Sequence, residues 1–181
     1  MFKWLFGGKD KEESGGGGGD TIGVKELVVV SRKVQATPDR AFAVFVDEFG
    51  KWWPAKYTLS GANLAEIVIE PKMNGRAIER DKAGGEIVWG TVLSFFRPGH
   101  LVIAWQIGPD MTVVDNEAAA SRVDVRFVEQ EPGTTEVVLV HRDFPRHGPG
   151  WESYRKKMSV KEGGWPLLMD RYAKTVAGEP L

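Results

Sequence analysis

The 181-residue sequence contains no cysteine. That removes disulfides, thiolate nucleophiles and thiolate metal ligands together, and it is the usage a reducing cytoplasm favours. Histidine is scarce, with only His100, His141 and His147. An open metal site would need His141, Asp143 and His147 together, and their spacing matches no recognised zinc pattern, so no metal is expected. No apolar run reaches the roughly 18 to 20 residues that a membrane span requires. The segment Met1–Gly8 is apolar but short, is followed at once by charged residues from Lys9 to Glu13, and has no small-residue cleavage site. No stable membrane insertion is expected, and the absence of export features points to a cytoplasmic location. Charge of one sign is missing too: 24 basic against 25 acidic residues leave a net charge of −1, which gives no electrostatic reason to bind nucleic acid. There is no Gly-x-Ser-x-Gly elbow for a nucleophilic serine. The five glycines Gly15–Gly19 follow no strand and precede no Gly-Lys-Ser/Thr, so they are no phosphate cradle and no nucleotide cofactor is expected.

What remains is ordinary globular chemistry, with 42% hydrophobic and 27% charged residues and a conspicuous seven tryptophans. Residues 1–23 read as a disordered tail ending in a glycine-rich tether, and residues 24–178 as one domain. Lys25–Val34 is a β-branched strand. Thr37-Pro38 supplies a hydroxyl N-cap followed by proline at the first helical position, where its missing N–H costs nothing. Phe42, Phe45, Val46 and Phe49 then recur at helical spacing, with a stop predicted by Gly50. Alternation predicts strands around Ala65–Ile69, Arg76–Arg80, Glu86–Phe95, Leu101–Ile107, Arg122–Glu129 and Thr135–Asp143, joined by turns at Lys82–Gly85, Arg97–His100 and Glu131–Thr134. Gly108–Ala120 is polar and irregular. A short helix around Tyr154 and Met158 gives way at Gly163-Gly164 to a long one, whose stripe is Trp165, Leu168, Met169, Tyr172 and Val176. Successive antiparallel strands followed by one amphipathic helix have a simple solution: the helix crosses the concave face of a bent sheet.

Three segments and their order carry a family resemblance. Asn74-Gly-Arg-Ala-Ile-Glu-Arg80, Trp89-Gly-Thr-Val92 and Arg97-Pro-Gly-His-Leu-Val-Ile-Ala-Trp105, followed by Thr134–Asp143 and Gly164-Trp165, resemble the SRPBCC (START-like) superfamily. The branch they are most similar to is that of the C-terminal domain of the heat shock protein 90 ATPase activator. The resemblance covers about residues 25–177. It implies an α+β helix-grip (START/Bet v-like) fold, a curved antiparallel sheet around a long C-terminal helix with a cavity between them. Relatives use that cavity for apolar ligands, for conversions such as polyketide cyclisation, or hardly at all, so fold alone does not settle function. Ala77 stands where many relatives carry an aromatic, a change that enlarges or reshapes the cavity.

The residues expected to line this cavity are Phe45 from the first helix and Trp53 just after it, Glu79, Trp89 and Trp105 from the middle strands, Leu139 and His141 from the strand ending at Asp143, and Trp165 and Met169 from the last helix. Large rigid rings with one N–H each suit a pocket that orients an apolar guest, and so many indoles are hard to pack into a solid core. Glu79 has two readings. In an apolar pocket its carboxyl is a candidate acid or base; at a rim it pairs with Arg76 or another cation. His141 likewise reads as a hydrogen-bonded residue of the cavity wall. Three functions stay open: binding of a small apolar or amphipathic ligand, a cyclase- or hydrolase-type cavity enzyme, and a chaperone-type module with a protein partner. Ligand binding is the leading expectation. Arg155-Lys-Lys157 reads as a solvated helix face.

Overall fold

In a computed structural model that describes residues 26–181, the alternating segments form seven strands: β1 (Val28–Val34), β2 (Leu64–Ile69), β3 (Arg76–Asp81), β4 (Glu86–Phe96), β5 (His100–Trp105), β6 (Ser121–Glu131) and β7 (Thr134–Arg142). The expected tail and tether of residues 1–23 lie outside the described residues. The strands make one antiparallel sheet in the order β1-β7-β6-β5-β4-β3-β2, a curled half-barrel. Every strand after β2 pairs with its successor in sequence, as short turns dictate. Gly84 (φ 90°) and Gly133 (φ 78°) occupy the left-handed positions that two of those turns require. Bulges interrupt the register at Leu64/Glu66, at Ala77/Ile78 and at Val92/Ser94, all within β2–β5. Bulges of this kind bend the strands and curl the sheet.

The alternation sorts the faces. Val123, Val125 and Phe127 of β6, with Val137, Leu139 and His141 of β7, are buried on the inner face. Helix α1 (Pro38–Val46) starts where the Thr37 hydroxyl accepts the Arg40 N–H at 3.4 Å. The helix ends before Gly50, as expected, but helical structure resumes past it. It breaks at Asp47-Glu48 and restarts as the single turn α2 (Phe49–Trp52), which buries both Phe49 and Trp52. Trp53, restricted by Pro54, is extended (ψ 127°) and ends that turn.

Two further helices close the concave side, α3 (Trp151–Ser159) and α4 (Trp165–Ala177). Trp165, Leu168, Met169 and Tyr172 of α4 are buried, and each such side chain contributes about 1.5–3 kcal/mol. Polar ties fix the helix laterally. The Tyr172 hydroxyl donates to Ala41 O at 2.8 Å, and Arg171 Nε donates to Trp52 O at 2.9 Å. Gly178, in the left-handed region at φ 73°, caps the helix. The joint between α3 and α4 needs glycine for a different reason: a Cβ on Gly164 would lie 2.8 Å from Lys157 O and closer still to the Met158 carbonyl.

The indoles pack more tightly than their number suggested. Trp52, Trp53, Trp89, Trp105 and Trp165 are all buried, meeting Phe45, Phe49 and Tyr172 in edge-to-face and stacked pairs at centroid distances of 4.7–6.4 Å. Such offset geometry lets rings fill space without a void. The expectation that so many indoles would hold the interior open is corrected accordingly.

Candidate functional site

A cavity of about 120 Å³ remains where α3 and the start of α4 meet the C-terminal end of β5. Its walls are three indoles, Trp53 after α2, Trp105 at the end of β5 and Trp165 at the start of α4, with centroids 5.4–6.1 Å apart and steeply inclined planes. Leu168 of α4 and Tyr154 and Met158 of α3 complete the apolar lining, and Lys157 adds the single cation. Loop residues Tyr57, Ile107 and Met111 close the remaining side. The size is that of a one-ring guest: an engineered cavity of about 150 Å³ takes benzene, whereas drug-sized ligands need roughly 300–1,000 Å³.

Of the side chains expected to line the cavity, Trp53, Trp105 and Trp165 do so. The other six are elsewhere. Phe45 sits at the opposite end of the interior, packed on Trp52, Phe127 and Tyr172 at 5.0, 5.8 and 5.3 Å. Trp89 lies behind the wall, stacked on Phe49 and Trp53. Leu139 and Met169 are fully buried in the core cluster. Ala77 is off the wall as well. It lies beneath Gly90, where an added Cβ would be 3.3 Å from its own, so no room is opened there for a guest.

Glu79 is buried at 2% exposure, and its partners are neither of those anticipated. Its two oxygens accept the backbone N–H groups of Leu59 (2.9 Å) and Ser60 (2.7 Å). Arg76 instead pairs with Glu70 and Glu86 on the outer face. A carboxylate that holds two backbone amides anchors the loop between α2 and β2, and it has little freedom to move protons to a guest.

His141 is the centre of a buried polar chain whose proton positions follow from the donors. Trp165 Nε1–H can only donate, so His141 Nδ1 accepts it, at 2.9 Å. His141 Nε2 therefore carries the hydrogen and gives it to Ser121 Oγ at 2.7 Å, which in turn donates to His147 Nε2 at 2.8 Å. His147 Nδ1–H is left buried without an acceptor among the described residues. Burial, and then the neighbouring His147, hold the His141 pKa well below the ordinary histidine range. Burial likewise lowers that of His147. With both nitrogens committed, His141 orients the wall residue Trp165 from behind and is no free base.

Tyr154, expected in a short helix, was not assigned to the site. Its hydroxyl accepts Trp105 Nε1–H at 2.8 Å, locking one wall to another, and burial pushes its pKa up. The signal was its spacing with Met158 at i, i+4, which puts both on one side of α3. Its partner in β5 is 49 residues away and no local pattern announces it.

Among the described residues no group of three or more histidines and carboxylates is placed to hold a metal ion. His100 bonds Asp124 on the outer face, and Asp143 is ringed by Arg122, Arg142 and Arg146. A shallower depression of about 510 Å³ lies on the outer sheet face between Phe96, His100, Arg126 and Val128, where Phe96 is 71% exposed. No described helix is long and apolar enough to cross a membrane.

Comparison with known proteins agrees with the fold and the sequence segments. The family model described as Activator of Hsp90 ATPase homolog 1-like protein matches residues 35–177. None of the curated proteins compared matches the chain. Among solved structures, the anthrahydroquino-γ-pyrone synthase Txn09, complexed with SUM, is 32% identical over 84% of this chain and 98% of its own, with a TM-score of 0.58. CalC from Micromonospora echinospora, titled a self-sacrificing resistance protein, is 25% identical over 85% and 96%, at a TM-score of 0.64. Protein MLL2253 from Mesorhizobium loti, at 15% identity over 86% and 99% and a TM-score of 0.59, shares the fold. The chain belongs to the Activator of Hsp90 ATPase homolog 1-like family, within the SRPBCC superfamily.

Proposed function

We propose that the protein binds a small apolar or amphipathic molecule, aromatic in part, in the cleft between β5, α3 and α4, in the cytoplasm. The observation that carries this reading is the wall of three indoles, Trp53, Trp105 and Trp165, each braced by neighbouring rings around a space of about 120 Å³. Rigid aromatic walls with few polar groups favour an aromatic guest through stacking and edge contacts. A larger guest enters only if α3 swings outward, which breaks its buried hydrogen bond to the sheet, Trp105 Nε1–H to the Tyr154 hydroxyl. Tryptophan fluorescence tests the proposal. A one-ring aromatic quenches it saturably and raises thermal stability by mass action, about 2.7 kcal/mol at a hundredfold excess over Kd. Met158→Trp, which fills the cavity from its rim, abolishes both effects. Absence of saturable quenching across a panel of one- and two-ring aromatics contradicts the proposal.

The second reading is an enzyme on the same cleft, favoured by the 32% identity to a protein titled a synthase. It ranks below binding because Glu79 and His141, the acid–base candidates of the interior, have their oxygens and nitrogens committed to structural hydrogen bonds.

A further inference from the structure

Resting on that binding reading, we infer that the guest is an acceptor-rich aromatic anion, a ring bearing a carboxylate or an acidic phenol, rather than a neutral or cationic one. The polar groups of the cleft all lean one way. Trp53 Nε1–H is buried with no acceptor among the described residues. The Tyr154 oxygen already accepts from Trp105, so what the phenol has left to offer is its own proton, for which the described residues supply no acceptor. Burial keeps that phenol protonated through the ordinary pH range. Lys157 contributes an ammonium that is in no ion pair among the described residues. Against these, no side-chain carboxylate or amide belongs to the wall. The acid adjoining the Met111 side, Asp110, is turned onto the Thr112 N–H and hydroxyl at 3.1 and 2.8 Å.

A pocket that offers donors and one positive charge, and hardly any acceptors, discriminates by what it leaves unsatisfied. A guest with an anionic oxygen satisfies buried N–H or O–H groups and meets Lys157, whereas an ammonium finds no side-chain carboxylate in the wall, has only the indole faces to attract it, and faces the like charge of Lys157. Stacking on the aromatic walls is common to every ring-bearing guest, so the choice between anionic and neutral ones falls to these donors and to Lys157.

A set of one-ring probes matched in size tests this: benzoate, benzamide, toluene and benzylamine, titrated calorimetrically at low salt. The expected order is benzoate, then benzamide, then toluene, with benzylamine weakest. A rim pair that is partly screened is worth up to about fivefold between benzoate and benzamide. Lys157→Gln, at an exposed position that leaves the core untouched, should erase the benzoate–benzamide gap while leaving toluene unchanged, and Lys157→Glu should reverse it. If toluene or benzylamine binds as tightly as benzoate, the donor argument is overturned while the binding reading stands. If none of the four binds, both are refuted.

Discussion

Replacing Glu79 by glutamine separates a structural carboxylate from a catalytic one. The wild-type side chain accepts two backbone N–H groups, from Leu59 at 2.9 Å and Ser60 at 2.7 Å, in a site only 2% exposed. Glutamine fits the same volume and keeps one acceptor, but its amide NH₂ turns a donor against the second N–H. Hydrogen bonds to a charged group contribute about 1.5–3 kcal/mol each, and a stranded buried donor costs about 1–3 kcal/mol. One bond survives in neutral form, so the expected loss is about 2–4 kcal/mol. For a domain of this size that lowers Tm by roughly 5–15 °C. Urea denaturation followed by far-UV circular dichroism measures it, with a constant m-value as the check that the native state keeps its compactness. A loss below about 0.5 kcal/mol, the range of an ordinary surface change, would refute the anchoring role. Unchanged stability with loss of turnover on a bound guest would return Glu79 to the catalytic reading.

Gly164→Ala should be far worse than its single methyl suggests, because the new Cβ meets the Met158 and Lys157 carbonyls of α3. Loss of guest binding together with a lowered denaturation midpoint is expected, and a variant that binds normally would mean that the joint relaxes. Leu168→Ala removes a side chain 3% exposed on the inner stripe of α4 and should cost about 2–5 kcal/mol, whereas Lys174→Ala on the exposed side should cost almost nothing. Equal effects in urea titrations would show that the helix faces are misassigned. Stability should also fall in mild acid. His141 and His147 have lowered pKa values in the fold, so below the ordinary histidine value of about 6.5 the unfolded chain takes protons that the native state refuses. Their contribution is complete above that pH and declines as pH falls through it. Urea midpoints from about pH 7.5 to about pH 5.5 should drop accordingly, by up to about 1.4 kcal/mol per pH unit for His141 and by less for the half-buried His147, and a flat profile would contradict the buried neutral chain.

The fold was legible because its signals are local and repeated. Val123, Val125 and Phe127 alternate, Trp165, Leu168, Met169 and Tyr172 recur at helical spacing, and glycines mark the tight turns, so each element announces itself from its own residues. The cavity was legible only in part. Strand alternation correctly turned Glu79 and His141 inward, but inward is a direction and not a position. It cannot tell a residue at the open end near α3 from one sealed beneath α1. Phe45 and Trp105 both face the interior, and only the register of β5 and the placement of α3 put one in solid packing and the other on the wall. The partners of Glu79 could not be read at all, since backbone amides 19 and 20 residues away leave no mark in side-chain pattern. Trp89 faces the interior as expected, but it sits at the bulge opposite Ala77-Ile78, a feature with no composition signal in these strands, and packs on Phe49 and Trp53 behind the wall.

The most direct test of guest binding at the indole-walled cleft is a titration of the ¹⁵N-labelled protein with benzoate, read at the indole Nε1–H resonances. Trp53, Trp105 and Trp165 line the cleft, whereas Trp52 Nε1–H is bonded to Val44 O at 3.1 Å in the packed end of the core. Saturable shifts of the first three with one common Kd, and a Trp52 signal that stays nearly still, are the expected result. No saturable shift, or a Trp52 shift as large as that of Trp105, would contradict the account.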